Sequence, residues 1–290
     1  MQRFQPISNP LLEPQPEEIA ETLLVEAGSA ELPTDERKLL SYLGLQQLSF
    51  DFMHELDFIP QEKAKPEIRA ALSLNERLVA TQAGLSSKRK RWGTLHEIAH
   101  FILPEHQEKL FLDTDISLGW WVKQRFEREA NAVAAELLFQ GNRFTEESLS
   151  LPTSIRAAVN LAPNYGASFE SALRRYTERH VLPCALIVYD KVPKELDDGD
   201  PDESEYKIHY TITSLPFRRN YFSGLKIEGG TVKGTELLHR STGWRFNDIT
   251  EAELSVGRGE DDPWHFDTEV FSNSYKIFQF LLPPKEALQL

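Results

Sequence analysis

The sequence has a single cysteine, Cys184, which excludes a disulfide framework and a cysteine-ligated zinc site alike. It stands in the apolar run LPCALIVY and reads as a small buried hydrophobe. Methionine is nearly as scarce, with Met1 and Met53 the only two. No apolar run approaches the roughly 18 to 20 residues that a membrane span needs. The opening segment MQRFQPISNPLLEPQPEE lacks the apolar centre of a secretory signal, so the expectation is a cytoplasmic protein that does not enter membranes. Positive charge is also in deficit: 32 Lys and Arg against 45 Asp and Glu leave a formal net charge of −13. Such a surface repels a phosphate backbone and argues against a direct nucleic-acid partner. The exception is SSKRKR at 86–91, read as a solvated turn ahead of a helix, with a docking patch for an acidic partner as the alternative.

What is present is enough for a packed protein, since 290 residues with 40% hydrophobic side chains can bury at least one sizeable core. PEEIAETLLVEAG and TDERKLLSYLG have helical spacing and end at Gly28 and Gly44, with Thr34 the expected N-cap of the second. IRAALSL and RLVATQ, separated by Asn75 and Glu76, suggest a hairpin. A helix is expected from about Lys88 to Ile102, stopped by Pro104, and a stronger one in WWVKQRFEREANAVAAELLFQG up to Gly141. Shorter helices follow in TSIRAAVNLA and SFESALRRYTERH, the latter with Ser168 as its expected N-cap. From CALIVY onward strand formers dominate, in YKIHYTITSL, YFSGLKI, TELLHR, GWRF and SYKIFQFLL. The expected class is therefore α+β, a mainly helical part over 1–183 followed by a β-rich part over 184–290.

The chemistry concentrates in TLHEIAHFILPEH, residues 94–106. His96 and His100 stand at i and i+4, one turn apart on one helical face, so both imidazoles can reach one ion. Glu97 between them is placed to contact a metal-bound water without being a ligand. This is the H-E-x-x-H arrangement, in which zinc makes a water acidic and the glutamate takes its proton.

Two completions of the site compete. His106 would give the metzincin string, but that string needs glycine where this chain has Leu103, and its downstream Met-turn is absent. His106 is therefore expected in a surface loop beside Pro104 and Glu105. The alternative is an acid in FEREANAVAAELL, which offers Glu127, Glu129 and Glu136. Glu127 shares a face with Asn131, Ala134, Ala135 and Leu138, small enough in part to let a neighbouring helix approach. Glu129 points away from that face and reads as a solvated or structural acid, while Asn131 is a candidate to steady a ligand from behind.

RWGTLHEIAHFIL followed by EREANAVAAELL resembles the ImmA/IrrE family of metallo-endopeptidases, whose members show an Arg-aromatic lead-in, H-E-x-x-H and then E-x-E-A-N. The resemblance covers roughly residues 15 to 183. It implies a zincin-like metallopeptidase domain over 1–183, zinc held by His96, His100 and Glu127, and Glu97 as the catalytic base. It also implies cleavage of a regulatory protein, such as a helix-turn-helix repressor in a stress or mobile-element response. Some members carry a C-terminal GAF-like sensor, a role open to 184–290 beside that of a substrate-docking module. The sequence departs from the family at Trp92 and Gly93, where Phe and Thr are usual, and at LLFQGN, where Leu-Leu-Met-Pro is common.

The leading expectation is thus an intracellular zinc endopeptidase of the glutamate-ligated type whose partner is a separate repressor protein. Its rival is a metal-stabilised module that binds a repressor or antitoxin without cutting it, and a metalloenzyme acting on a small amide is a third reading. RLVATQ is the expected cleft edge for an extended substrate. Tyr210, His209, His239 and His265 are equal candidates to assist zinc in stabilising an oxyanion. Oligomeric state, activating signal and cleaved bond are not legible in the sequence.

Overall fold

A computed structural model of the chain describes residues 15–52, 68–107, 120–192, 205–220, 232–233, 244–254, 264–273 and 275–284. The chain gathers into two compact units. The first is Met1–Phe144 with Pro163–Ser168, the second Thr145–Ala162 with Phe169–Leu290. The chain is α+β, as expected, but its compact units are not divided at residue 183: two helices from the expected helical half gather with the C-terminal strands.

In the first unit, α1 (Pro16–Glu26) and α2 (Glu36–Leu43) precede a three-stranded sheet of β1 (Gln46–Phe50), β2 (Ala70–Ser73) and β3 (Leu78–Gln82). Then come α3 (Ser87–Ile102) and α4 (Trp120–Phe139). The N-cap of α2 is Asp35, whose carboxylate accepts from the Arg37 amide at 3.0 Å. Thr34, the cap expected from sequence, is fully buried and donates its hydroxyl to Leu137 O at 2.7 Å. That carbonyl lies in the last turn of α4, where no intrahelical donor remains, so the hydroxyl is worth more there than at the start of α2.

The expected hairpin forms, with β2 antiparallel to β3, and β1 adds parallel to β3 on the other side. The sheet order β1-β3-β2 places β3 in the middle. Both edges of RLVATQ are therefore paired, and it is not the open cleft edge expected of it. Among the described residues the outer strands are β1 and β2.

The helix α3 buries Leu95, Ile98, Ala99 and Ile102, the i, i+3, i+4, i+7 stripe of an amphipathic helix. It packs on α4, whose buried stripe is Phe126, Ala130, Val133, Ala134 and Leu137, and on the β2–β3 hairpin. Each fully buried Leu or Ile contributes about 1.5–3 kcal/mol, so this stripe fixes how the two helices sit. Gly93 has a local reason: a Cβ there would meet Ala70 Cβ at 3.1 Å, so glycine lets α3 lie close on β2. Arg91 pairs with Glu36 through Nε–Oε2 at 3.1 Å. Its guanidinium also fills the space over Gly166, where φ is +59° and a Cβ would fall 1.7 Å from Nη1.

The helix α5 (Arg143–Leu149) spans the boundary between the units. The second unit holds α6 (Ile155–Leu161), α7 (Phe169–Glu178), β4 (Ala185–Val192), β5 (Glu205–Thr213), α8 (Leu215–Asn220), β6 (Val232–Lys233), β7 (Trp244–Leu254), β8 (Trp264–Asn273) and β9 (Lys276–Leu282). The strands form one antiparallel sheet in the order β5-β4-β9-β8-β7-β6. Residues 184–188 are fully buried and α7 lies against β4 and β5, so this strand is covered on both faces. Burial pushes the Cys184 thiol up to about 12, which leaves it an unreactive core group. The strand β8 was not anticipated, because its buried residues include the polar Thr268 and Glu269. The Glu269 carboxylate accepts from Ser154 Oγ and the Ile155 amide, both at 2.7 Å, and so closes the start of α6. The expected strands YFSGLKI and TELLHR lie outside the described residues.

Candidate metal centre

The site is built on the two longest helices. α3 is capped by Ser86, whose hydroxyl accepts from the Arg89 amide, and its face next to the buried stripe carries His96 and His100. Packing of α3 on α4 brings Glu127 over them. His96 Nε2 lies 3.1 Å from His100 Nε2 and 3.2 Å from Glu127 Oε2, and His100 Nε2 lies 3.6 Å from Glu127 Oε1. These three residues form the one group of this kind found among the described residues.

Those separations can be compared with what an ion requires. Zinc bound at about 2.0–2.2 Å in a tetrahedron places its donor atoms about 3.3–3.6 Å apart. Two imidazole nitrogens and one carboxylate at 3.1–3.6 Å match that edge length. Among the described residues these three side chains supply three of the four directions of a tetrahedron, and the Glu127 side chain is 59% exposed.

The electrostatics follow from the crowding. Hydrogen bonds from His100 and His96 hold the Glu127 carboxyl well below the usual carboxylate range. Burial opposes protonation of His96, but Glu127 and Glu97 outweigh it and raise its proton affinity above the ordinary imidazole value. Glu97 is only 8% exposed, and that burial raises its carboxyl, with His96 and His100 pulling the other way. A buried carboxylate beside the cluster, its basicity increased, is suited to taking a proton. Asn131 lies beside His96 and adds to its proton affinity, but among the described residues His96 Nδ1 is buried with no partner at hydrogen-bonding geometry.

His106 is not where the sequence suggested. α3 stops at Leu103, with φ −83° and ψ 112°, so the left-handed turn of the metzincin string is absent. A helical turn at 104–107 then folds His106 back under the cluster, where it is fully buried rather than in a surface loop. Its Nδ1 lies 2.9 Å from His100 Nδ1, on the side of that ring facing away from Glu127, and its Nε2 lies 3.0 Å from Glu129 Oε2. The His106 ring stacks on Phe126 with centroids 4.2 Å apart. Burial lowers its proton affinity below the ordinary imidazole value, against the pull of Glu129. Glu129, expected to be solvated or merely structural, thus has a defined partner, and Arg125 pairs with it at 3.3 Å. No periodicity signals this pair, because it depends on the reversal at Pro104.

Three of the four oxyanion candidates lie among the described residues of the second unit. Tyr210 donates its hydroxyl to Glu170 at 2.6 Å, and His209 Nδ1 lies 2.6 Å from Asp190. His265 is exposed on β8, and His239 lies outside the described residues.

Comparison with known proteins gives a consistent picture. Residues 55–177 match a peptidase family model described as the IrrE N-terminal-like domain. No curated protein matches the sequence. Among solved structures, a Mycobacterium tuberculosis transcriptional regulator superposes with a TM-score of 0.51 at 12% identity, covering 95% of this chain and 77% of that one. At that identity the likeness concerns the fold alone. Among the described residues no helix is long and apolar enough to cross a membrane.

Proposed function

We propose, from the match of residues 55–177 to the IrrE N-terminal-like peptidase family, that the chain is a zinc-dependent endopeptidase acting on a regulatory protein. The observation that carries this reading is the convergence of His96 Nε2, His100 Nε2 and Glu127 at 3.1–3.6 Å beside a buried Glu97. His96, His100 and Glu127 hold the ion. Zinc so held supplies the Lewis acidity that lets a water attack a peptide carbonyl near neutral pH. Glu97 takes the proton from that water and returns it to the departing amine, the work of a general base that becomes a general acid. The open side of Glu127 admits the peptide. The metallopeptidase chemistry resides in the first compact unit, which holds His96, Glu97, His100 and Glu127, with the β-rich part over 184–290 serving as a sensor or docking module. The substrate class is a transcriptional repressor, as the resemblance to the ImmA/IrrE family implies, and the site of action is the cytoplasm.

The decisive variant is Glu97→Gln, which removes the base and leaves every ligand in place. Incubated with helix-turn-helix repressors encoded next to its own gene, the zinc-loaded wild type is expected to cut at a defined bond. Glu97→Gln is expected to be slower by about 10²–10⁴-fold with unchanged zinc content. If Glu97→Gln matched the wild type in every assay while both bound the repressor, the protein would instead be a binding module that uses its metal structurally.

A further inference from the structure

The side of His100 facing away from the cluster carries a second line of contacts. Glu129 Oε2, His106 Nε2, His106 Nδ1 and His100 Nδ1 follow one another at 3.0 Å and 2.9 Å across the two rings. With both rings neutral, the inventory of donors allows one consistent assignment. A carboxylate only accepts, so His106 Nε2 carries the hydrogen. A neutral imidazole has one N–H, so His106 Nδ1 is an acceptor. His100 Nδ1 must then donate to it, and His100 Nε2 is left with its lone pair facing His96 and Glu127. Full burial of His106 and its stacking on Phe126 keep this ring in place, and Arg125 pairs with Glu129 from the far end.

We propose that Glu129 and His106 form a carboxylate–histidine relay that fixes His100 in its Nδ1–H tautomer and aims Nε2 at the metal. The proposal rests on the metal site put forward above and adds two positioning residues to it. The two histidine ligands are thereby unequal. His100 is oriented by a buried chain of hydrogen bonds, whereas the buried Nδ1 of His96 has no partner at hydrogen-bonding geometry among the described residues. Outer partners of this kind are worth about 10–100-fold in metal affinity, because they fix ring orientation and increase ligand basicity.

The test uses the full chain and zinc alone, with affinity read by competition against a chromophoric chelator. His106→Phe keeps the ring and its stacking but neither nitrogen, and it is expected to bind one zinc about 10–100-fold more weakly than wild type. His106→Gln offers an amide oxygen to His100 Nδ1 and an amide N–H to Glu129, and is expected to recover part of that loss. A second readout needs no metal. Long-range proton–nitrogen spectra of histidine-labelled, metal-free protein at mildly alkaline pH are expected to show His100 as the Nδ1–H tautomer. In His106→Phe they are expected to show a mixture. Unchanged zinc affinity in His106→Phe, or an Nε2–H tautomer of His100 in the metal-free wild type, overturns the relay. Glu127→Gln separates this from the parent reading. Loss of zinc there with no loss in His106→Phe leaves the site standing without the relay, and no zinc binding by the wild type removes the site while the tautomer still decides the relay.

Discussion

Among the described residues, the His96–His100–Glu127 cluster of the first unit and the Glu170–Tyr210–Lys276 cluster of the second are organised differently. In the second unit the Glu170 carboxylate accepts from the Tyr210 hydroxyl at 2.6 Å and from Lys276 Nζ at 2.9 Å. Donors and acceptors match, and the group is complete as it stands. In the first unit His96, His100 and Glu127 turn two ring nitrogens and a carboxylate toward one point at 3.1–3.6 Å. With His100 Nε2 an acceptor, that cluster is relieved by a proton on His96 or by a cation. Burial of charged groups indicates function only when the donors and acceptors fail to balance within the protein. By that criterion the first cluster calls for a ligand and the second does not.

The comparison is broken most directly by zinc linkage. Zinc at about a thousandfold excess over its dissociation constant stabilises a folded protein by roughly 4 kcal/mol. Denaturant unfolding with and without zinc is expected to show a gain of this order in the wild type, reversed by a chelator. In Glu127→Ala the gain should vanish, and a full gain there would remove Glu127 from the ligand set. Tyr210→Phe tests the other side. It deletes a donor to a half-buried carboxylate at a cost of roughly 0.5–1.5 kcal/mol, and the zinc-dependent increment should remain as in wild type.

A falling pH should separate the two clusters in sequence. The zinc ligands must be unprotonated, and the proton affinity of His96 lies above the ordinary imidazole value, so zinc affinity should begin to fall as pH drops through the neutral range. In the second unit burial alone would raise the Glu170 carboxyl, but Tyr210 and Lys276 outweigh it and hold it below its ordinary value. A carboxyl lowered on folding stabilises the protein above its unfolded pKa, and that contribution fades as pH falls through the folded one. Acid unfolding of metal-free protein should therefore show the Glu170 contribution in full near neutrality and lose it only below the ordinary carboxylate range. Lys276→Met should shrink that acid-dependent part by a few tenths of a kcal/mol, as befits a partly exposed pair. An equal loss at every pH would remove Lys276 from the titrating network.

Much of this arrangement was legible in the sequence because it rests on short periods. The i, i+4 spacing of His96 and His100 and the apolar stripe through Leu95, Ala99 and Ile102 follow from one helix. The hairpin and the long α4 were equally local. What was missed depends on contacts distant in the chain. Thr34 caps the far end of α4 instead of its own helix, because Leu137 O is buried and needs a donor. His106 reaches His100 through the reversal at Pro104, which no periodicity encodes. β8 escaped notice because Glu269 breaks its apolar pattern, and Glu269 is there to close the start of α6. The grouping of α6 and α7 with the sheet has the same origin.

The central claim, that the first cluster is a metal site and the second is a closed network, is tested most directly by crystals of zinc-loaded protein measured at the zinc absorption edge. The expected result is one anomalous peak per chain bounded by His96 Nε2, His100 Nε2 and the Glu127 carboxylate, and none beside Glu170. A peak ligated by His106 and Glu129, or none among His96, His100 and Glu127, would contradict it.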